Sequence, residues 1–348
     1  MMRALLLEET GKPMVVKEVS DPALTPDGVI IKVMANGICR SDWHIWAGDA
    51  NVVKEFPHVL GHEFTGIVEE VGNHVRKFKK GDKVIVPVAQ SDNTCPHCLG
   101  GHQNLCDNRV IPGINYWGGY SQYVHVPNAD GNLVTLPETM NFVSAASLGC
   151  RFVTAYHGIV DQVKVQAGEW VVIHGCGGVG LSAIQLASSL GAKVIAVDIG
   201  EDKLEIAKQL GAHITVNGAQ NNPVEAVREI TRGGADVSVD ALGISDTCQN
   251  AILGLGKRGR HLQIGLTTKK EKGFISLPID MMVAKEIQLV GSSGMPTSRY
   301  PAMFNLIDSL NIDPSKLVTE RVSLDEAYQV IAGMSEYTNL GISVVDRF

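Results

Sequence analysis

An α/β fold in two parts is what these 348 residues predict, and three observations carry it. Up to Cys150, runs at 29–39 (VIIKVMANGIC), 64–72, 82–89 and 120–127 are rich in β-branched residues and punctuated by Gly, Pro and Asp. That is the mark of short strands in a twisted all-β unit. Beyond Cys150 the rhythm changes, and strands alternate with helices: strand 169–175, helix 177–192, strand 193–200, helix 201–211, strand 213–217, helix 222–234, strand 235–243. Such alternation implies a doubly wound parallel sheet with helices on both faces. Strands at 258–266 and 286–293 extend that sheet. Helices at 300–309 and 323–336 and a strand at 341–345 close the chain.

Each element has a local reason. In the helix at 177–192, Val179, Ala183, Ile184, Ala187 and Leu190 share one face, which should pack on the sheet. The helix at 201–211 ends on Gly211, a residue suited to a helix terminus.

Composition narrows the function classes. Hydrophobic residues make up 45% and charged residues 19%, an ordinary globular balance with room for two cores. The net charge of −7 and the lack of any basic run argue against a nucleic-acid partner. No apolar run is long enough to span a bilayer, and MMRALLLEETGK lacks a signal-peptide layout, so a cytoplasmic address is expected. Of the seven cysteines, the three at short spacing read as metal ligands rather than disulfides in a reducing compartment. Cys176 and Cys248 read as small buried apolar residues.

HGCGGVG places Gly175, Gly177 and Gly180 in G-x-G-x-x-G spacing, after an apolar strand and at the opening of a helix. That context is what a dinucleotide-binding loop requires. Gly175 permits the tight turn, Gly177 admits a pyrophosphate to the backbone, and Gly180 lets helix and strand pack closely. Gly178 and Val179 complete the loop, and the positive end of the helix dipole faces the phosphates. Asp198 ends the next strand, at the spacing of an acid that accepts hydrogen bonds from the ribose hydroxyls. A carboxylate there repels a 2′-phosphate, and Ile199 and Gly200 supply no cation to neutralise one. NAD is therefore expected over NADP.

Two further clusters carry metal chemistry. Cys95, Cys98 and Cys106 form C-x2-C-x7-C, one ligand short of a closed zinc site. Cys39 and His44 in GICRSDWH, His62 and Glu63 in VLGHEFTG, and Cys150 in SLGCRF offer a second set. Two thiolates and one imidazole make a sensible zinc set with a position left open for substrate.

Taken together, these motifs make the chain resemble, over essentially its whole length, a zinc-dependent alcohol dehydrogenase of the medium-chain dehydrogenase/reductase superfamily. Cys2His with an open position is the established catalytic-zinc set of alcohol dehydrogenases. The resemblance implies a GroES-like β-barrel catalytic domain at 1–151 and 294–348, and a Rossmann NAD-binding domain at 152–293. It implies that Cys39, His62 and Cys150 hold a catalytic zinc, with Glu63 able to ligate transiently and Asp42 orienting His62. Ser41 and His44 would form a proton relay with the cofactor ribose. Arg40 would pair with the pyrophosphate, Lys203 would touch the adenosine ribose, and Ile264 and Leu266 would line the cofactor. The reaction implied is hydride transfer between an alcohol and NAD, zinc lowering the alcohol's pKa as it lowers that of bound water from 15.7 to about 7.

The family's lobe usually reads C-x2-C-x2-C-x7-C. Counting back from Cys95 lands on Asp92, with His97 and His102 as rivals, and the resemblance then implies Asp92, Cys95, Cys98 and Cys106 as structural zinc ligands, two zinc ions per chain in all. The family's C-terminal G-R-x-V reads Gly341-Ile342-Ser343-Val344 here, so one phosphate contact is missing and weaker NAD binding is implied. Trp43, Trp46, Trp117, Leu266 and Thr267 either narrow an alcohol pocket or pack as ordinary apolar residues. A zinc-independent enone or quinone reductase would need none of the three catalytic ligands. A polyol dehydrogenase usually carries an acid where Cys150 stands, and a non-enzymatic relative would be expected to lose Ser41, His62 or Cys150. A homotetramer is implied by resemblance alone.

Overall fold

The computed structural model describes residues 1–336 and 339–348. The chain opens with an antiparallel pair, β1 (Met2–Leu6) and β2 (Val15–Val19). There follow β3 (Val29–Gly37), helix α1 (Arg40–Trp46), β4 (Phe64–Val71), β5 (Lys83–Ile85), β6 (Tyr123–Val126) and β7 (Val134–Thr135). The second half supplies β8 (Trp170–His174), helix α2 (Gly178–Ser189), β9 (Lys193–Asp198), α3 (Glu201–Gln209), β10 (Ile214–Asn217), α4 (Pro223–Thr231), β11 (Ala235–Asp240), α5 (Ser245–Leu253), β12 (Leu255–Gln263) and β13 (Gln288–Gly291). β14 (Val318–Ser323) and β15 (Ile342–Arg347) end the chain.

Two compact units result. The first comprises Met1–Cys150, Gly294–Asn305 and Pro314–Phe348, and the second Arg151–Ser293 and Leu306–Asp313. In the first, a sheet runs β14-β15-β3-β4-β5-β7, with β6 also on β3. The tail strand β15 pairs antiparallel with β3. One of its cores gathers Leu5, Leu7, Ile38, Ile45, Leu60 and Tyr120, and another gathers Val29, Ile31, Phe64, Val68 and Val84. In the second unit the order is β10-β9-β8-β11-β12-β13, every neighbour parallel. The order reverses beside β8, and in such sheets ligands bind outside the carboxyl ends of the strands at the reversal. Among the described residues no helix is long and apolar enough to cross a membrane.

Several sequence expectations need correction. The strand expected at 82–89 stops at Ile85, since Pro87 has no N–H for a ladder. The helix expected from 323 begins at Ala327, because Glu326 folds back to accept from the Ser323 N–H at 2.7 Å and Oγ at 2.8 Å, making a turn first. Helix α2 is buried on nearly all sides from Gly180 to Ala187, while Val179 and Leu190 are half-buried. The helical segments at Val153–Tyr156 and His157–Gln162 pack on it together with strands β8 and β9. Helices α1, α5 and Ile279–Lys285 were not apparent in the sequence. α5 is built largely of Ser, Asp, Thr, Cys and Asn, all weak helix formers, and burial of Cys248, Ala251 and Ile252 overrides that preference.

Candidate active site and metal centres

The first centre is assembled where three segments of the first unit meet. Cys39 precedes α1, His62 and Glu63 precede β4, and Cys150 lies in a wide helical turn at Leu148–Phe152. Cys39, His62, Glu63 and Cys150 each offer a ligand atom within 4.8 Å of the others. Cys39, His62 and Glu63 are buried.

Asp42 organises this cluster. It is 1% exposed and accepts from the Cys39 N–H at 3.0 Å, the Gly61 N–H at 3.2 Å and the Tyr120 hydroxyl at 2.8 Å. Its Oδ1 lies 3.2 Å from His62 Nδ1. Burial disfavours a charged His62 imidazole, but the Asp42 carboxylate and the Cys39 sulfur override it and hold the ring's pKa well above the ordinary histidine value. Burial, reinforced by Asp42, pushes the Tyr120 hydroxyl well above the ordinary tyrosine range. Glu63 Oε1 accepts from the Cys150 N–H at 2.8 Å, and Asn36 Oδ1 accepts from the Glu63 N–H at 3.2 Å. Gly149 is obligatory in this arrangement, since a Cβ there would stand 2.4 Å from Glu63 Cβ.

Zinc fits this donor set. Both His62 ring nitrogens are buried and make no hydrogen bond; Nδ1 faces Asp42, and a metal bond would satisfy Nε2. Two soft sulfurs, an imidazole and a nearby carboxylate are zinc's preferred chemistry. Ser41 Oγ lies 3.7 Å from Cys39 Sγ, and His44 Nδ1 lies 3.0 Å from Asp49 Oδ2.

The second centre is the lobe. Asp92, Cys95, Cys98 and Cys106 bring four ligand atoms within 4.8 Å of one another. Sγ of Cys95 and Cys98 are 3.4 Å apart, and Asp92 Oδ1 is 3.3 Å from Cys106 Sγ and 3.7 Å from Cys98 Sγ. A tetrahedron with zinc–ligand bonds of 2.0–2.3 Å has edges of about 3.3–3.8 Å, so these spacings suit zinc. The Asn108 amide, at 2.7 Å, and the Thr94 N–H, at 2.9 Å, hold the Asp92 carboxyl far below the usual carboxylate range. Backbone N–H groups at Asp107 and Cys98 lower the Cys95 thiol, while burial pushes Cys106 up to about 11. His97 is half exposed and lies 3.9 Å from Asp107, and His102 is exposed. Neither belongs to the ligand cluster.

The glycine loop belongs to the second unit. Gly175 has φ +94°, and a Cβ on Gly180 would stand 1.7 Å from the Gly175 carbonyl oxygen. Nothing lies within 4 Å of where a Gly177 Cβ would be, which leaves room above the loop for a ligand. Gly178 faces the Arg151 side chain, whose Cδ would be 2.4 Å from a Cβ there. Asp198 accepts from the N–H groups of Cys176 at 2.7 Å, Ile199 at 2.8 Å and Gly200 at 3.0 Å. It thereby ties the loop to the end of β9. The Lys203 methylenes lie beside Gly200. The Ile264 N–H donates to the Asp240 carbonyl at 3.1 Å, and Leu266 is 83% exposed.

The remaining sequence candidates are placed as follows. The Arg40 guanidinium lies 3.8 Å over the Trp43 ring and donates to the Met334 carbonyl. Ile342 is fully buried in the core, so no side chain there reaches a phosphate. Trp43, Trp46 and Trp117 pack against the core that holds Ile45 and Leu60. Trp117 also lines a cavity of about 450 Å³ with Val52, Pro57, His58 and Ile114. Cys176 and Cys248 are buried. Asn36, Tyr120, Gly149, Asn108 and Asp49 escaped sequence reasoning, because each acts through a fold contact that no local pattern announces.

A parallel sheet with a glycine loop, in one chain with a Cys2His cluster, defines the medium-chain dehydrogenase class. Residues 25–138 match the alcohol dehydrogenase GroES-like domain, and residues 178–309 match the zinc-binding dehydrogenase domain. The chain belongs to the zinc-binding alcohol dehydrogenase family of that superfamily. It is 33% identical to an NAD-dependent alcohol dehydrogenase of Sulfurisphaera tokodaii over 99% of both chains. It superposes on alcohol dehydrogenase TADH from Thermus sp. ATN1 with a TM-score of 0.91 at 30% identity over 100% of both chains. A Sinorhizobium meliloti 1021 protein crystallised with NADP gives a TM-score of 0.88 at 30% identity over 99% of both chains.

Proposed function

We propose that this enzyme interconverts alcohols with aldehydes or ketones by hydride transfer to or from NAD, and that it holds two zinc ions. The carrying observation is the buried Cys39–His62–Cys150 set with an unpartnered His62 Nε2, in a chain that also has the glycine loop and Asp198. When bound, zinc supplies Lewis acidity that makes a hydroxyl's proton easier to remove, and NAD supplies the hydride acceptor.

The chain's own residues do the rest. Asp42 fixes His62 and Cys39 relative to each other. Glu63 anchors the Cys150 backbone and is near enough to exchange with a departing ligand. Ser41 Oγ accepts the hydroxyl proton as it gives up its own, and His44 receives it toward solvent. Gly175, Gly177, Gly178, Val179 and Gly180 admit the pyrophosphate to the N-terminus of α2. Arg40 adds a cation for the phosphates, Lys203 one for the adenosine ribose, and Ile264 and Leu266 an apolar edge. Asp92, Cys95, Cys98 and Cys106 hold the structural zinc. Residues 1–151 with 294–348 serve as the catalytic domain and 152–293 as the cofactor domain. A cytoplasmic homotetramer without nucleic-acid or membrane partners completes the reading.

Two experiments test it. Ser41→Ala should slow alcohol oxidation by about 10²-fold while zinc content stays constant, and an unchanged rate would remove Ser41 from the relay. Catalytic efficiency with NAD should exceed that with NADP, because Asp198 opposes a 2′-phosphate. Equal efficiencies would show that Asp198 does not select the cofactor.

A further inference from the structure

Helix α1 ends in a way that returns a carboxylate to the relay histidine. Ala47 is still helical, and Gly48 then takes φ +76°, a left-handed conformation that glycine adopts without strain. The reversal brings the N–H groups of Asp49, at 2.8 Å, and Ala50, at 3.0 Å, onto the His44 carbonyl. It also turns the Asp49 side chain back, so that Oδ2 lies 3.0 Å from His44 Nδ1. Both side chains are partly shielded, at 23% and 32% exposure.

The geometry points to Asp49 as a positioning residue for the proton relay: its carboxylate holds the His44 Nδ1–H and leaves Nε2 as the ring's one basic nitrogen. This rests on His44 being the base of the proposed function. A neutral imidazole carries one proton, and a carboxylate accepts but cannot donate, so the pair fixes the tautomer. During oxidation the alcohol O–H bond breaks, its proton passes through Ser41 Oγ, and an N–H bond forms at His44 Nε2. The imidazolium then releases that proton to water. The Asp49 carboxylate keeps accepting the Nδ1–H throughout, which holds the ring in place.

The titratable and charged side chains on the elements packed against α1 are Arg40 and Asp42 on α1 itself, Glu9 and Lys12 on the loop that Trp46 bonds, Tyr328 on the helix Ala327–Gly333, and Glu336 on the turn after it.

The test compares wild type, Asp49→Asn, Asp49→Ala and His44→Gln as full-length zinc-loaded protein, oxidising benzyl alcohol with NAD from about pH 6 to 9. Asparagine can present an amide N–H to Nδ1 and so move the ring proton to Nε2. Oxidation should then fall by about 10²-fold, and by roughly 10-fold for alanine, which leaves the ring untethered. Zinc content and NADH affinity should not change. Nitrogen-15 spectra should show the His44 proton on Nδ1 in wild type and on Nε2 in Asp49→Asn.

A wild-type ring protonated on Nε2 would overturn the proposal without any variant. So would Asp49 variants that match wild type in rate while His44→Gln is slow. If His44→Gln oxidises at the wild-type rate, the base assignment itself fails and the role of Asp49 falls with it.

Discussion

Replacing Asp42 by alanine should weaken zinc retention at the first centre and destabilise the fold by about 3–5 kcal/mol. The carboxylate is 1% exposed and satisfies the Cys39 N–H, the Gly61 N–H and the Tyr120 hydroxyl, while facing His62. Its loss leaves three buried donors unpaired, each costing about 1–3 kcal/mol, less whatever a penetrating water recovers. Loss of an outer-shell partner of this kind typically weakens metal affinity by about 10–100-fold. Asp42→Asn keeps the volume but turns an amide N–H₂ toward donors, so it should fall between wild type and alanine. Chelator titration and thermal melts on the three proteins check this. Equal zinc retention and equal melting would mean that Asp42 is dispensable.

Replacing Asp92 by alanine should empty the lobe and lower the zinc content from two ions per chain to one. Asp92 Oδ1 faces two of the three lobe sulfurs, and Oδ2 is held by Asn108. Three thiols alone leave the tetrahedron open to water, and the folding energy that a structural zinc provides is lost with it. The melting temperature should drop, while oxidation per remaining zinc stays within a few-fold, since Asp92 is no part of the first centre. Asp92→Cys should keep two zinc ions and bind the lobe ion at least as tightly, because the soft thiolate replaces a harder oxygen. Metal analysis of the variants decides it, and two zinc ions in Asp92→Ala would exclude Asp92 as a ligand.

The fold was legible where periodicity is strong. The alternation after Cys150 announced the parallel sheet, and β8, β9, β10 and β11 fall within the stretches read as strands. The all-β character of the first half was legible, but the partnership of β15 with β3 was not, because pairing across three hundred residues leaves no local signal. Helix α1 was hidden because GICRSDWH reads first as ligand chemistry, and its seven residues are too short for a clear period. The candidate ligands read from compact motifs do come together, as Cys39, His62, Glu63 and Cys150 and as Asp92, Cys95, Cys98 and Cys106. Gly149 was not legible, since only the approach of Glu63 makes a side chain there impossible. Asp49 was equally silent, since its role depends on the turn at Gly48.

The central claim is that zinc sits in the Cys39–His62–Cys150 cluster and is required for alcohol oxidation. Counting zinc per chain on purified untagged protein, before and after graded chelation and alongside NAD-dependent oxidation, tests it most directly. Two ions per chain are expected, with oxidation disappearing as the first-centre ion is removed and returning when zinc is added back. Zinc-free protein that still turned over carbonyls with NADH would contradict the account and favour a zinc-independent reductase.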